Sequence, residues 1–196
     1  MTKISKPEIK QQTEIPRTLT KESIINDIGS AALALIMEYS RTWHLLLQYD
    51  ENKLALPKGT EKAQATLDIK EVTSAILNLK QQLITIGEAT ELFGIDRGNN
   101  LSSILNNIEQ TFGGHALYPT VESRAAHLLY FIIKDHPFVD GNKRIGCFLF
   151  VLYLRLNNIE LVKINDVSLT ALALLVAESN PSEKELIIKL VNNLIM

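Results

Sequence analysis

Two stretches of this chain, 121–135 and 145–156, are apolar on nearly every face and are separated only by a short polar loop. In the first, Ala125, Ala126, Leu128, Leu129, Phe131, Ile132 and Ile133 leave little room for a polar side. A helix that is apolar all round belongs in the middle of a core rather than on its surface. The second run is too long for a typical buried strand and also reads as a helix. Whatever fold the chain adopts must therefore wrap its other elements around two central helices, at 121–135 and 143–156.

The surrounding sequence supplies those elements. Apolar residues recur at three- and four-residue spacing from Ile24 to Ile36, predicting an amphipathic helix to about Ser40, which either runs on or breaks in the aromatic stretch 43–49. A turn-rich linker spans 49–59. A second amphipathic helix is expected over 65–83 and a short apolar-polar element over 86–93. A loop at 94–100 leads to a helix at 101–108, which stops at Phe112-Gly113-Gly114. Tyr118 precedes Pro119 and is pushed towards extended geometry, so 115–120 fits half of a hairpin. Thr120 then caps the first central helix. After a turn at 157–160 and a short piece at 161–164, two more helices are expected over 167–177 and 181–195, with Pro181 in a first helical position. The expectation is an all-α fold: one helical domain over 21–196 with its core motif in 110–156, preceded by a polar, flexible arm at 1–20.

Composition removes several classes of function. The formal net charge is -2 and no basic patch stands out, so no direct nucleic-acid partner is expected. No stretch approaches the roughly 20 apolar residues needed to span a bilayer, and the first residues lack an apolar leader core, so the cytoplasm is the default compartment and no membrane partner is expected. Cys147 is the single cysteine, which excludes an internal disulfide and a thiolate metal cluster. It reads as a buried core thiol.

The loop between the central helices concentrates the polar chemistry: His136-Pro137-Phe138-Val139-Asp140-Gly141-Asn142-Lys143-Arg144. It ends at a helix N-terminus, where free amides and the helix dipole cradle an anion. Gly141 allows close backbone approach to a phosphate, and Lys143 and Arg144 supply positive charge. An imidazole beside such a site can take a proton from an attacking hydroxyl near neutral pH. Asp140 can hold magnesium against phosphates, since that ion favours one or two carboxylates plus ligand oxygens. Zinc is not indicated, because the other histidines are scattered at 44, 115 and 127.

This ordered set resembles the core pattern of the Fic/Doc family. The resemblance implies a Fic-type helical bundle with a small β-hairpin flap before the motif helix. It implies His136 as general base and Asp140 as the magnesium ligand. Asn142 and the amides after Gly141 would form an anion hole, and Arg144 would hold nucleotide phosphates with Lys143 beside it. Phe138 would anchor the loop in the core. The flap would lie in 113–120 with its tip at Leu117 and Tyr118, pairing with a target peptide as an added strand. The activity implied is transfer of AMP from ATP, or from another nucleotide, with magnesium, onto a Ser, Thr or Tyr hydroxyl of a target protein. An antitoxin or regulatory protein and a homo-oligomer are the further partners in view.

The subgroup is less uniform. The stretch 128–146 is similar to bacterial Fic/Doc or RhuM-like proteins. AMP-transferring members carry glycine where Lys143 stands and a second arginine where Cys147 stands. Doc-like members have Asn-Lys-Arg without that arginine and transfer the terminal phosphoryl group instead. Protein kinase activity is therefore the alternative, with a nucleotide-binding module that has lost catalysis as a third. Ser179 and Glu183 have the spacing of an inhibitory segment, but the pattern ends in Lys184, and helix capping explains the same residues.

Plainer readings accompany the rest. For the motif, the plainer reading has His136 ending a helix while Asp140 pairs with Arg144. Lys134 and Asp135 read as solvated flanks, His115 and Arg97 as surface residues, and His127 as a hydrogen-bonded, partly buried histidine. Trp43 and Tyr49 read as packing residues.

Overall fold

Helix periodicity in the sequence is realised as eight α-helices and one hairpin among the residues described in the computed structural model, 21–57, 62–161 and 164–196. In chain order they are α1 (Lys21–Glu38), α2 (Ser40–Asp50), α3 (Ile69–Thr85), α4 (Asn100–Ile108), β1 (Thr111–Phe112), β2 (His115–Ala116), α5 (Val121–Asp135), α6 (Asn142–Leu156), α7 (Asp166–Glu178) and α8 (Lys184–Ile195). The expected all-α bundle with a small β-hairpin is what forms. The arm expected at 1–20 lies outside the described residues, as do parts of the expected pieces at 49–59 and 161–164.

The chain divides into two compact units, one up to Leu46 and the other from Leu47 to Met196. In the first, α1 presents Leu33, Leu35 and Ile36 as exposed side chains, and Tyr39 and Trp43 sit with ring centroids 6.4 Å apart. No described helix is long and apolar enough to cross a membrane.

The second unit is built on α5. Thr120 is extended (φ -108°, ψ 157°) and its side chain accepts the Ser123 N–H, so the helix starts there, and it stops before Pro137. Helices α4, α6, α7 and α8 all pack on it. Ala125, Ala126, Leu128, Leu129, Ile132 and Ile133 are completely buried. Each such Leu or Ile contributes roughly 1.5–3 kcal/mol relative to exposure, so burial rather than intrinsic propensity holds the helix in place. Gly146 of α6 explains how closely the central pair approach. A Cβ there would stand 3.0 Å from Ile133 Cγ1, which makes the glycine a packing residue.

Several boundaries move for local reasons. α3 begins later than expected because Asp68 accepts the Lys70 and Glu71 N–H groups at 2.8 and 3.2 Å, leaving Leu67 outside the helix. The stretch 86–93 forms turns rather than an element of its own. The helix expected over 181–195 splits into a 3-10 turn at Pro181–Glu183 and α8, with Asn180 and Glu183 forming a reciprocal capping box.

Candidate active site

The motif loop is held by hydrogen bonds of its own. The Asn142 carboxamide grips the Phe138 peptide from both sides: Oδ1 accepts the Phe138 N–H at 2.9 Å and Nδ2 donates to its carbonyl at 2.9 Å. Phe138 itself is buried, the anchor expected from the sequence. The amide oxygen and one Nδ2 hydrogen are thus spent on the loop, which Asn142 positions.

A segment that the sequence presents only as loop braces the motif from outside. The Gly94 N–H donates to the Asp140 carbonyl at 3.0 Å, Val139 N–H to Ile95 O at 2.9 Å, and Arg97 N–H to Pro137 O at 2.8 Å. Phe93, fully buried, lies directly under Gly141. Gly141 has φ +89°, and a Cβ there would sit 2.4 Å from the Phe93 ring, so both backbone and space demand glycine. Phe93, Gly94 and Glu88 contact the motif, a part the sequence reading did not assign them, although Leu92-Phe93-Gly94 resembles the same bacterial subgroup. The Phe93-Gly94 pair, an aromatic followed by glycine, was the available signal.

Against this frame the reactive groups line one cleft of about 320 Å³: His136, Asp140, Gly141, Asn142, Lys143 and Arg144, with Val139. His136 follows α5 in the left-handed region (φ 48°, ψ 55°), an uncommon conformation for a residue with a Cβ. Its imidazole is exposed. Gly141 is the N-cap of α6 and no side chain caps that terminus, so the first-turn amides of Asn142, Lys143 and Arg144 have no side-chain acceptor. Free amides at a helix N-terminus favour an anion.

The Arg144 guanidinium donates to Glu88 O at 2.6 Å, lies 4.7 Å over the Phe93 ring and meets Asp140 Oδ2 at 3.4 Å. Asp140 Oδ1 accepts the Gly141 N–H at 2.7 Å. The Arg144–Asp140 pair is nearly half exposed, and such pairs contribute only about 0–1 kcal/mol. An incoming phosphate or cation can separate them at small cost. Among the described residues no group of three or more His, Cys, Asp or Glu side chains is arranged to hold a metal ion. One half-exposed carboxylate suits an ion that brings most of its oxygen ligands with it, as magnesium on a nucleotide does.

Residues 67–154 match the family model described as Fic/DOC family. This segment is a Fic/Doc-family domain. No curated protein and no solved structure matches the chain. The match begins at the start of α3 and ends near the end of α6, so it takes in the bracing segment as well as the motif.

The hairpin of the Fic/Doc domain pairs Thr111 with Ala116 and Phe112 with His115. Its turn is Gly113-Gly114, both at positive φ, as tight hairpin turns require. The tip is therefore not Leu117 and Tyr118, as expected. Leu117 N–H donates back to Gln110 O at 2.8 Å beyond the second strand, and the Tyr118 ring stacks on His127 at 3.9 Å. The exposed apolar residue next to the turn is Phe112, 86% exposed. His115 is exposed, as is Arg97.

Other expectations resolve locally. His127 is buried, with Nδ1 2.7 Å from Ser123 O, and burial lowers its pKa. Cys147 is half-buried rather than fully so, and burial pushes its thiol up to about 11. It lines an apolar groove with Leu79, Leu83 and Phe148 that Lys143 and Arg144 border. Lys134 is not a solvated flank, for its Nζ donates to the carbonyls of Ala177 and Ser179 at 3.0 and 2.7 Å. Asp135 has its carboxyl raised by burial, partly offset by Lys184 and His136. Ser179 Oγ donates to Val176 O, and Glu183 accepts the Asn180 N–H at 3.0 Å. Ordinary capping thus occupies both.

Proposed function

We propose that the Fic/Doc domain is a transferase that moves AMP from ATP, or the equivalent part of another nucleotide, onto a Ser, Thr or Tyr hydroxyl of a target protein. The reading rests on one observation: an exposed imidazole and an uncapped helix N-terminus open into the same cleft, flanked by Asp140, Lys143 and Arg144. A site that only binds nucleotide has no use for a base at that point.

In this account His136 takes the hydroxyl proton as the oxygen attacks the α-phosphorus. The new O–P bond replaces the bond to pyrophosphate, which departs with its electron pair. The first-turn amides of α6 and the Arg144 and Lys143 cations stabilise the phosphoryl oxygens as charge develops on them. Asp140 would hold magnesium, which when bound neutralises phosphate charge. The hairpin would present the target backbone through strand pairing.

One observation favours a second reading, transfer of the γ-phosphoryl group. Beside Lys143 and Arg144 the chain offers Cys147 in an apolar groove instead of another cation, so the phosphates distal to the reacting one have less charge to meet. Both readings are tested by incubating the protein and magnesium with a bacterial lysate and ATP labelled at either the α or the γ phosphate. Protein-bound α label supports AMP transfer, γ label alone supports the kinase, and neither label on protein overturns both.

A further inference from the structure

The hairpin has no buried residue of its own, and a two-stranded hairpin is at best marginally stable alone. Something outside it must hold it in place. Arg124 on α5 is buried, 8% exposed, in a helix face that is otherwise largely apolar. Its Nη1 meets Glu109 Oε2 at 2.5 Å, and its Nε donates to the Tyr118 carbonyl at 2.8 Å. Glu109 stands two residues before β1, and Tyr118 two residues after β2. One guanidinium therefore holds both feet of the hairpin. The Tyr118 ring adds a stack on His127, which lies one turn further along α5.

We infer that Arg124 is a positioning residue that locks the hairpin to α5, the helix that ends at His136, and so fixes the hairpin's place relative to the base. This rests on the reading of the hairpin as the element that presents the target. A planar fork can bridge two acceptors at once, whereas a lysine ammonium at this depth cannot span both in the same geometry. The ion pair with Glu109 is reached from its more exposed end, since Glu109 is 34% exposed against 10% for the Arg124 side chain.

The test uses the full chain with Glu109→Gln, Arg124→Lys and Arg124→Gln, followed by hydrogen exchange and by label transfer from ATP into lysate proteins. Glu109→Gln keeps the buried guanidinium on the Tyr118 carbonyl and so preserves folding should Arg124→Gln not fold. The expected result is exchange of the 110–118 amides at least about tenfold faster, with 136–145 unchanged and ATP affinity within about twofold. Label transfer should fall at low lysate concentration and recover as lysate is raised, a KM effect. Unchanged hairpin exchange in Glu109→Gln and Arg124→Lys overturns the inference. Equal loosening of 136–145 also overturns it, because Arg124 would then serve the fold at large. If the unsubstituted protein transfers no label while the exchange pattern appears as expected, the clamp stands and the transferase reading falls.

Discussion

Replacing Gly141 with alanine tests the physical basis of the anion cradle. The residue has φ +89°, and its added Cβ would meet Phe93 ring atoms at 2.4, 2.5 and 3.0 Å. Left-handed backbone costs an L-residue roughly 1–2 kcal/mol, and overpacking a fixed core group adds about 1–3 kcal/mol. Phe93 has no easy retreat, since it is fully buried beneath the Arg144 guanidinium. The sum, roughly 2–5 kcal/mol, is a large part of the 5–15 kcal/mol typical of a domain. Gly87 supplies the control: it has φ +76° but nothing within 4 Å of an added Cβ. In urea unfolding, Gly87→Ala should show only the backbone part, about 1–2 kcal/mol, and Gly141→Ala that amount plus the collision. A Phe93→Leu background should shrink the Gly141→Ala penalty, giving a coupling of about 0.5–3 kcal/mol. Equal costs at the two glycines, with no coupling to Phe93, would mean that the Phe93 ring does not crowd the added methyl.

Three further outcomes are expected. His127 is lowered chiefly by burial and by Lys184, against the Ser123 bond and Glu185, so the unfolded chain takes up its proton first as pH falls. Its stabilising contribution is complete above about pH 6.5 and is lost as pH falls through the lower folded value; Tm should drop between pH 7.5 and 5.5, and His127→Gln should reduce that drop. Cys147, with its thiol raised to about 11, should react with a disulfide reagent at pH 8 on the order of a hundredfold more slowly in the folded chain than in the urea-unfolded one; equal rates would contradict its burial. Asn142→Ala strips both partners from the Phe138 peptide and should cost about 1–3 kcal/mol in urea unfolding, with faster exchange across 137–141.

The sequence carried the centre of the fold more fully than its edges. α5 was legible to the residue because Thr120 and Pro137 punctuate an apolar run, and α6 because its apolar run exceeds a strand's length. The composition of the cleft was legible for a related reason: His136, Asp140 and Arg144 occur within a single turn-and-helix start, so proximity in sequence becomes proximity in space. The brace from 93–97 was not, because main-chain pairing leaves no side-chain period to read. The same holds for Asn142, whose clamp depends on the loop's path rather than on its residue type. Arg124 and Lys134 were hidden by being charged residues in or beside an apolar helix, where solvent exposure is the ordinary expectation. The hairpin tip was misplaced because Gly113-Gly114 was read as a helix stop, although a pair free to take positive φ is equally a tight-turn signal.

The most direct test of the central claim, that His136 works as a base beside an anion cradle on α6, is the His136→Ala protein measured for both ATP affinity and label transfer. Transfer should fall about 10²–10⁴-fold, the usual size of a general-base contribution, with ATP affinity held within about threefold because the cradle amides and Arg144 are untouched. Transfer at the unsubstituted rate would contradict the claim.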